Sequence, residues 1–569
     1  MKKFIKNFLA IFIILSNISI WGASASVLND KDIVIYKKIF TLQEAGKWKD
    51  ADKYINRIDN KILLGHVQFQ RYMHPTAYRA KYKELHMWLK KYNDHPGSKQ
   101  LYELAKRRQP GGWKAPSKPK GLLVPSHLYI TKPVKIVKKT FEFNKKEYNI
   151  LNNIRKNVQR GNVTTANTYL TKNSKYLSRP AHAEAYGHIA RGYYRYHKSQ
   201  ETLDIANLGY NMEAEFSWEA NWWGGLSAFR DGEYTTAEKL FKRVGNSFRI
   251  NDWLYSASWY WAGRSAYKAG NGTERSHWNK AGKKIRTFYG LVAIRSLGST
   301  PALDFSVSSI SSSDLQELKK IKGFKRAIAL SQVGLFHRAD RELKYIQPQI
   351  KQDYQFALMQ AGVAFNTPYI QYKSGFYLEN NFGENISEAY LYPNIPYEPS
   401  KRRIIDQALT SAFVRQESQF RAYAKSSAGA RGLMQLMPYT ARFVARKIGI
   451  RPNSFHGMRR NFLYRPELSM TLGQAYINIL LNQSGYNKNL LYSIASYNAG
   501  PGNLQKWRNK IDYKNDPLLF IESLPSRETR LYMEKILSNF WIYRFKINGS
   551  APSLDMIADG KWPLYKDMD

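Results

Sequence analysis

Three turns in the first half of this chain are written alike, and they limit its fold more than any other feature. Ala45-Gly46-Lys47-Trp48-Lys49-Asp50-Ala51 leads into Asp52-Lys53-Tyr54-Ile55. Arg160-Gly161-Asn162-Val163-Thr164-Thr165-Ala166 leads into Asn167-Thr168-Tyr169-Leu170, and Asp231-Gly232-Glu233-Tyr234-Thr235-Thr236-Ala237 into Glu238-Lys239-Leu240-Phe241. Each has a glycine, a polar turn and an Ala that opens an apolar-periodic helix. Small residues there let paired helices approach closely, which is the grammar of helix–turn–helix repeats. The spacing is irregular, so a degenerate α-solenoid is expected from about residue 30 to 299.

Proline-rich sequence from Arg107 to Pro133, including Gln109-Pro110-Gly111-Gly112-Trp113, interrupts the array and reads as an extended loop. A Ser-rich stretch from Ser299 to Ser313 marks the next boundary. Helical periodicity resumes at Leu315, with Ala327, Ile328, Ala329, Leu330, Leu335, Ala339 and Leu343 as an apolar stripe whose ordinary role is helix packing. The connector Tyr390-Leu391-Tyr392-Pro393-Asn394-Ile395-Pro396-Tyr397 opens a last segment of normal single-domain size.

At 569 residues the chain is too long for one core, and 43% apolar and 14% aromatic residues argue against global disorder. A net charge of +44 draws a protein toward polyanions such as nucleic acid, anionic lipid or an acidic wall polymer, or else serves solubility. The N-terminus narrows this. Met1-Lys2-Lys3-Phe4-Ile5-Lys6 is basic, Phe8 to Leu15 is apolar, and Ala23-Ser24-Ala25 offers a cleavage site, the layout of a secretory signal peptide over residues 1–25. The apolar core is shorter than the roughly 20 residues of a spanning helix. No later segment reads as a transmembrane span. The sequence has no Cys, hence no lipidated cysteine, disulfide or thiolate metal site. A soluble exported protein is expected, with an extracytoplasmic polymer rather than nucleic acid as partner.

Ile404, Ile405, Ala408, Leu409, Ala412 and Phe413 recur at helical spacing and place Glu417 at the end of an apolar helix. A lone Glu at a helix end is ordinarily a solvated charge. Here Ser427-Ala428-Gly429-Ala430-Arg431-Gly432-Leu433-Met434-Gln435-Leu436-Met437-Pro438 follows. Its glycines permit close approach, and Leu433, Leu436 and Met437 offer an apolar wall that would raise a carboxyl pKa. A Leu–Met stripe is as a rule core, so its reading as a wall rests on nearness to Glu417. In a second block, Ile494 to Gly502, an apolar helix stops at Asn498 before a Gly-Pro-Gly turn. In a third, Phe520 to Tyr532, Glu528 either meets a ligand or pairs with Arg527 or Arg530.

Arg415-Gln416-Glu417-Ser418, Gly432-Leu433-Met434-Gln435-Leu436-Met437-Pro438, Tyr497-Asn498-Ala499-Gly500-Pro501-Gly502 and Glu528-Thr529-Arg530, in this order, closely resemble the soluble lytic murein transglycosylases. Thr287-Phe288-Tyr289-Gly290-Leu291 also looks like that family's sequence at the end of its helical superhelix. The resemblance implies a predominantly all-α protein: an α-superhelical domain over residues 26–299, a helical linker over 300–395 and a lysozyme-like α(+β) catalytic domain over 396–569. It implies that Glu417 protonates the β-1,4 bond between N-acetylmuramic acid and N-acetylglucosamine, then takes the proton of the muramic C6 hydroxyl as a 1,6-anhydro ring closes. It further implies that Ser426 orients the reacting acetamido group, with Ser427 an adjacent candidate. Gln435 and Met437 would line the floor, Tyr497 would hydrogen-bond Glu417, and Glu528 would contact substrate.

The expected partner is the peptidoglycan glycan strand, with other cell-wall enzymes possible, and the expected form is a periplasmic monomer without a cofactor. Metal use has little support, since His66, His74 and His456 show no ligand pattern with Cys or carboxylates. Two other readings stay open: a lysozyme-like hydrolase, or a non-catalytic murein-binding scaffold.

Overall fold

The computed structural model describes residues 25–120, 143–450 and 462–566. Residues 1–24 of the expected signal peptide, the second part of the expected proline-rich loop and His456 lie outside them. No described helix is long and apolar enough to cross a membrane. The architecture is helical, as expected. Among the described residues there is no strand, only isolated bridges pairing Lys425 with Arg431, Arg431 with Leu436, and Asn489 with Leu564.

The repeated turns share one hydrogen-bond scheme. Gly46, Gly161 and Gly232 have φ of 70°, 91° and 86°. The next residue donates back five positions, Lys47 to Leu42, Asn162 to Asn157 and Glu233 to Ala228, at 2.8–2.9 Å. This closes the preceding helix on a left-handed residue, and glycine adopts that conformation without a Cβ penalty. Ala51, Ala166 and Ala237 are each fully buried where the second helix crosses the first. The same scheme recurs at places the pattern did not reveal, three of them within the helical arrays. Lys198 donates to Tyr193 after His197, Leu335 to Leu330 after Gly334, and Thr367 to Gly362 after Asn366. His197 and Asn366 take the left-handed position with φ of 57° and 52°.

The chain divides into two compact units, each discontinuous in sequence. One comprises residues 135–303, 404–416 and 474–569. Its helices Lys145–Gln159, Val163–Asn173, Arg179–Arg195, Ser199–Tyr210, Ala214–Arg230, Tyr234–Gly245 and Asp252–Ala269 pack in succession. Phe288–Ser296 then meets the C-terminal segment: Phe288 stacks on Trp541 with ring centroids 5.1 Å apart, and Tyr289 donates to Glu522 at 2.6 Å. A Cβ on Gly290 would lie 2.1 Å from the Lys284 carbonyl oxygen, so only glycine fits that crossing.

The other unit comprises residues 1–134, 304–403 and 417–473. A buried polar chain joins its N-terminal helices to the helix Phe336–Ile346. The Gly97 N–H donates to His95 Nδ1 at 2.9 Å, which leaves the proton of His95 on Nε2. That nitrogen contacts His66 Nδ1 at 3.0 Å, so His66 in turn presents Nε2–H to Glu342 at 2.7 Å. Arg326 forks onto the same carboxylate at 2.7 and 3.1 Å. Burial holds both imidazoles well below the ordinary histidine pKa, in keeping with a neutral relay. The three side chains have metal-ligand types within reach of one another, but each ligand atom is already engaged in this hydrogen-bonded chain.

Candidate active site

The helix Gln407–Ser418 carries Glu417 in its last turn. Its start is fixed by Asp406, whose Oδ1 accepts from the Leu409 N–H at 2.6 Å as an N-cap. The other carboxylate oxygen pairs with Arg544 at 2.8 Å, with both side chains at most 2% exposed. Downstream, Arg415 donates to Asn539 Oδ1 at 2.6 Å. Ala408, Leu409, Ala412 and Phe413 are buried, as their spacing predicts. Ile404 departs from that stripe: it precedes the helix and is 41% exposed.

Glu417 is half-buried. The chain then turns through two consecutive non-glycine residues in the left-handed region, Gln419 with φ of 51° and Phe420 with φ of 64°. For a bulky residue this costs on the order of 1–3 kcal/mol and persists only where the surroundings enforce it. The enforcement is visible. Phe420 is buried against Tyr372, with ring centroids 6.1 Å apart. The Ser418 carbonyl accepts from both the backbone N–H and Nε of Arg421, at 3.2 and 3.0 Å.

The glycine motif folds back on this turn. The Gly432 N–H and the Gln435 Nε2 both donate to the Ala424 carbonyl, at 3.0 and 3.2 Å. Gln435 also reaches the Gly432 carbonyl at 2.7 Å, from a left-handed backbone with φ of 45°. Ser426 Oγ accepts from the Ala430 N–H at 3.0 Å and is half-buried, whereas Ser427 is exposed. At Gly432 a Cβ would lie 1.9 Å from the Leu463 carbonyl oxygen. The Leu–Met stripe divides: Leu433, Met434 and Leu436 are buried. Met437 is 42% exposed.

The remaining two blocks belong to the other unit and meet there. The helix Leu490–Ala499 ends at Gly500, with φ of 85°, and Pro501 opens the next helix, Pro501–Arg508. One glycine therefore makes the turn, and proline supplies the first helical residue. The Thr529 hydroxyl donates to Asn498 Oδ1 at 2.8 Å, tying the third block to the second. Tyr497 is half-buried between Phe413 and Tyr476, with ring centroids at 4.7 and 5.3 Å. Glu528 is exposed, and among the described residues it forms no ion pair with Arg527 or Arg530. Arg530 instead donates to the Glu522 carbonyl at 2.7 Å and lies over the Trp223 ring.

Sequence reasoning missed the Asp406–Arg544 anchor and the left-handed pair after Glu417. The anchor spans 138 residues of sequence, and Gln419-Phe420 contains no glycine to announce its conformation. No pattern signals either.

Residues 395–519 match the family model described as Transglycosylase SLT domain. Residues 395–519 thus carry a transglycosylase SLT domain. It is 36% identical over 150 residues to a soluble lytic murein transglycosylase of Escherichia coli K12, covering 26% of this chain and 22% of that protein. It is 26% identical over 334 residues to one of Salmonella typhimurium, covering 56% of this chain and 49% of the relative. The matched regions thus span less than half the length of these relatives. In fold, it is similar to an inactive mutant of the lytic transglycosylase Slt of Pseudomonas aeruginosa, with a TM-score of 0.55 and 20% identity over 91% of this chain and 87% of that one.

Proposed function

We propose that this protein is a peptidoglycan lytic transglycosylase, exported to the periplasm and acting as a monomer on glycan strands. Glu417 is its acid and base. The observation that carries the proposal is the placement of Glu417 within the matched domain. It lies on a helix locked by a buried ion pair and next to a turn whose strain the surroundings sustain. Strain of this kind concentrates where a side chain must be held for function.

In the proposed reaction, protonated Glu417 gives its proton to the glycosidic oxygen as the bond from muramic C1 breaks. The oxygen of the 2-acetamido group closes on C1 and meets the developing positive charge. The Glu417 carboxylate then removes the C6 hydroxyl proton while O6 forms a bond to C1 and the acetamido oxygen leaves. One group serves as acid and then base, so the second carboxylate of most glycosidases is not needed. Ser426 orients the acetamido group, while Gln435 and Met437 border the sugar. Tyr497 and Glu528 are assigned to substrate binding from their motif positions. The domain scheme of superhelix, linker and catalytic region is part of the same proposal, and the net charge of +44 suits a carboxylate-bearing polymer.

Replacing Glu417 by Gln keeps the shape and removes the proton. Cleavage of purified murein sacculi is expected to fall about a thousandfold, within the range for general acid–base catalysis, with the melting temperature unchanged. Wild-type turnover in the Glu417→Gln protein would remove Glu417 from the role.

A further inference from the structure

The helix Pro438–Lys447 packs inward through Ala441, Val444 and Ala445, all buried. Its outer side is one run at helical spacing, Tyr439, Arg442, Phe443 and Arg446, followed by Lys447. Tyr439 is 76% exposed and Phe443 38%, so two rings one turn apart face water among cations. Lys401 adds a further charge at the helix C-terminus, where its amine donates to the Ile448 carbonyl at 2.9 Å. All of these residues lie in one compact unit. Among the described residues none of the four cations Lys401, Arg442, Arg446 and Lys447 forms an ion pair. The surrounding sequence offers no counter-charge: from Ser418 to Pro466 the chain holds no Asp or Glu. Cations in a last turn ordinarily answer the negative end of the helix, and Lys401 and Lys447 can do so. Arg442, in mid-helix, and the two exposed rings have no such role.

We propose that this face is a docking surface for the anionic headgroup layer of a phospholipid membrane. A single exposed ring needs no explanation. Two rings four residues apart, interleaved with arginines and far in sequence from any acid, match the layers of such an interface. Aromatic side chains settle at headgroup level with their apolar bodies inward, and guanidinium groups fork onto lipid phosphates. So exposed a ring as Tyr439 stands proud of the fold, which suits a surface laid against it better than a strand held in a groove. The net charge of +44 attracts the whole chain to an anionic membrane, but that attraction fades within a Debye length and does not select a face. The helix face, with rings to insert and cations beside them, does select one. Since the helix opens one residue after Met437, docking here would hold the loop that borders the sugar at a fixed distance from the membrane. That consequence rests on the glycan-cleaving reading; the docking itself does not.

The test sediments the protein, purified in its exported form, with vesicles of phosphatidylcholine alone or mixed with phosphatidylglycerol at physiological salt. Binding only to the mixed vesicles is expected. Arg442→Gln combined with Arg446→Gln should weaken it about thirtyfold, as for two cations at an anionic surface. Lys37→Gln combined with Lys38→Gln removes the same charge from exposed positions of the helix Asp30–Glu44 and should weaken it less than about threefold. Tyr439→Ser combined with Phe443→Ser should weaken it about tenfold, with the melting temperature held because both rings are already in water. The chain has no Cys, so a polarity-sensitive dye on Tyr439→Cys reports that position alone. Its emission should shift to the blue on mixed vesicles, while the same dye on Lys38→Cys stays fixed. Equal weakening by the two charge pairs, or an unshifted dye at position 439, means adsorption by diffuse charge and overturns the surface. Retention on lipid-free murein sacculi that falls with the arginine pair, while vesicle binding does not, assigns the face to the wall polymer and overturns it equally. Every readout is binding rather than cleavage, so failure here is distinguishable from failure of Glu417 as the acid.

Discussion

The repeat turns and the turn after Glu417 place backbone in the same left-handed region but fill it with different residues. Gly46, Gly161 and Gly232 occupy it with φ of 70°, 91° and 86°, and nothing crowds the open side of Gly232. Gln419 and Phe420 occupy it with side chains attached, φ being 51° and 64°. In the array the turn only has to close a helix, and glycine does this at the lowest conformational cost. Beside Glu417 the turn also has to carry a buried ring and hold a helix end still. The two regions thus differ in residue choice while sharing a backbone region, although His197 and Asn366 show that a non-glycine residue alone does not mark a site.

Substitutions can break or sharpen that contrast. The largest effect is expected at Gly432, the glycine of the catalytic-region motifs with the least room: Gly432→Ala drives a Cβ toward the Leu463 carbonyl oxygen. Destabilisation of about 4 kcal/mol or more is expected in urea unfolding, together with loss of cleavage. Asp406→Ala leaves Arg544 buried and unpaired and removes the cap of the Glu417 helix. A loss of about 3–5 kcal/mol is expected, read as a lower unfolding midpoint. Gly232→Ala adds a Cβ in open space, so only the backbone term remains; about 1–2 kcal/mol is expected with activity retained. The smallest effect sharpens the comparison most. Gln419→Gly should relieve strain and change stability by less than about 1 kcal/mol, while lowering kcat because the turn is no longer held. Unchanged kcat with unchanged stability would make this turn an ordinary one.

Where the sequence was readable, the reason is local. Glycine turns and buried alanines advertise themselves within a few residues, so the arrays around Gly46, Gly161 and Gly232 could be seen in advance. His197 and Asn366 hide the same turn, because tertiary packing there accommodates a non-glycine residue. Helical spacing places Glu417 at a helix end but does not by itself tell wall from core, and Leu433 and Leu436 are buried. Long-range partners leave no local trace. The Glu342 that receives His66 lies 276 residues away, and the Arg544 that anchors Asp406 lies 138 away.

The central claim is that one carboxyl group drives cleavage with the sugar's own hydroxyl as nucleophile. Mass spectrometry of murein digested by the full-length protein reads this directly. Muramic ends lighter than the reducing sugar by one water, and unlabelled when digestion runs in ¹⁸O-water, are the expected products. Reducing ends that carry ¹⁸O would show that water attacks the sugar and would contradict the account.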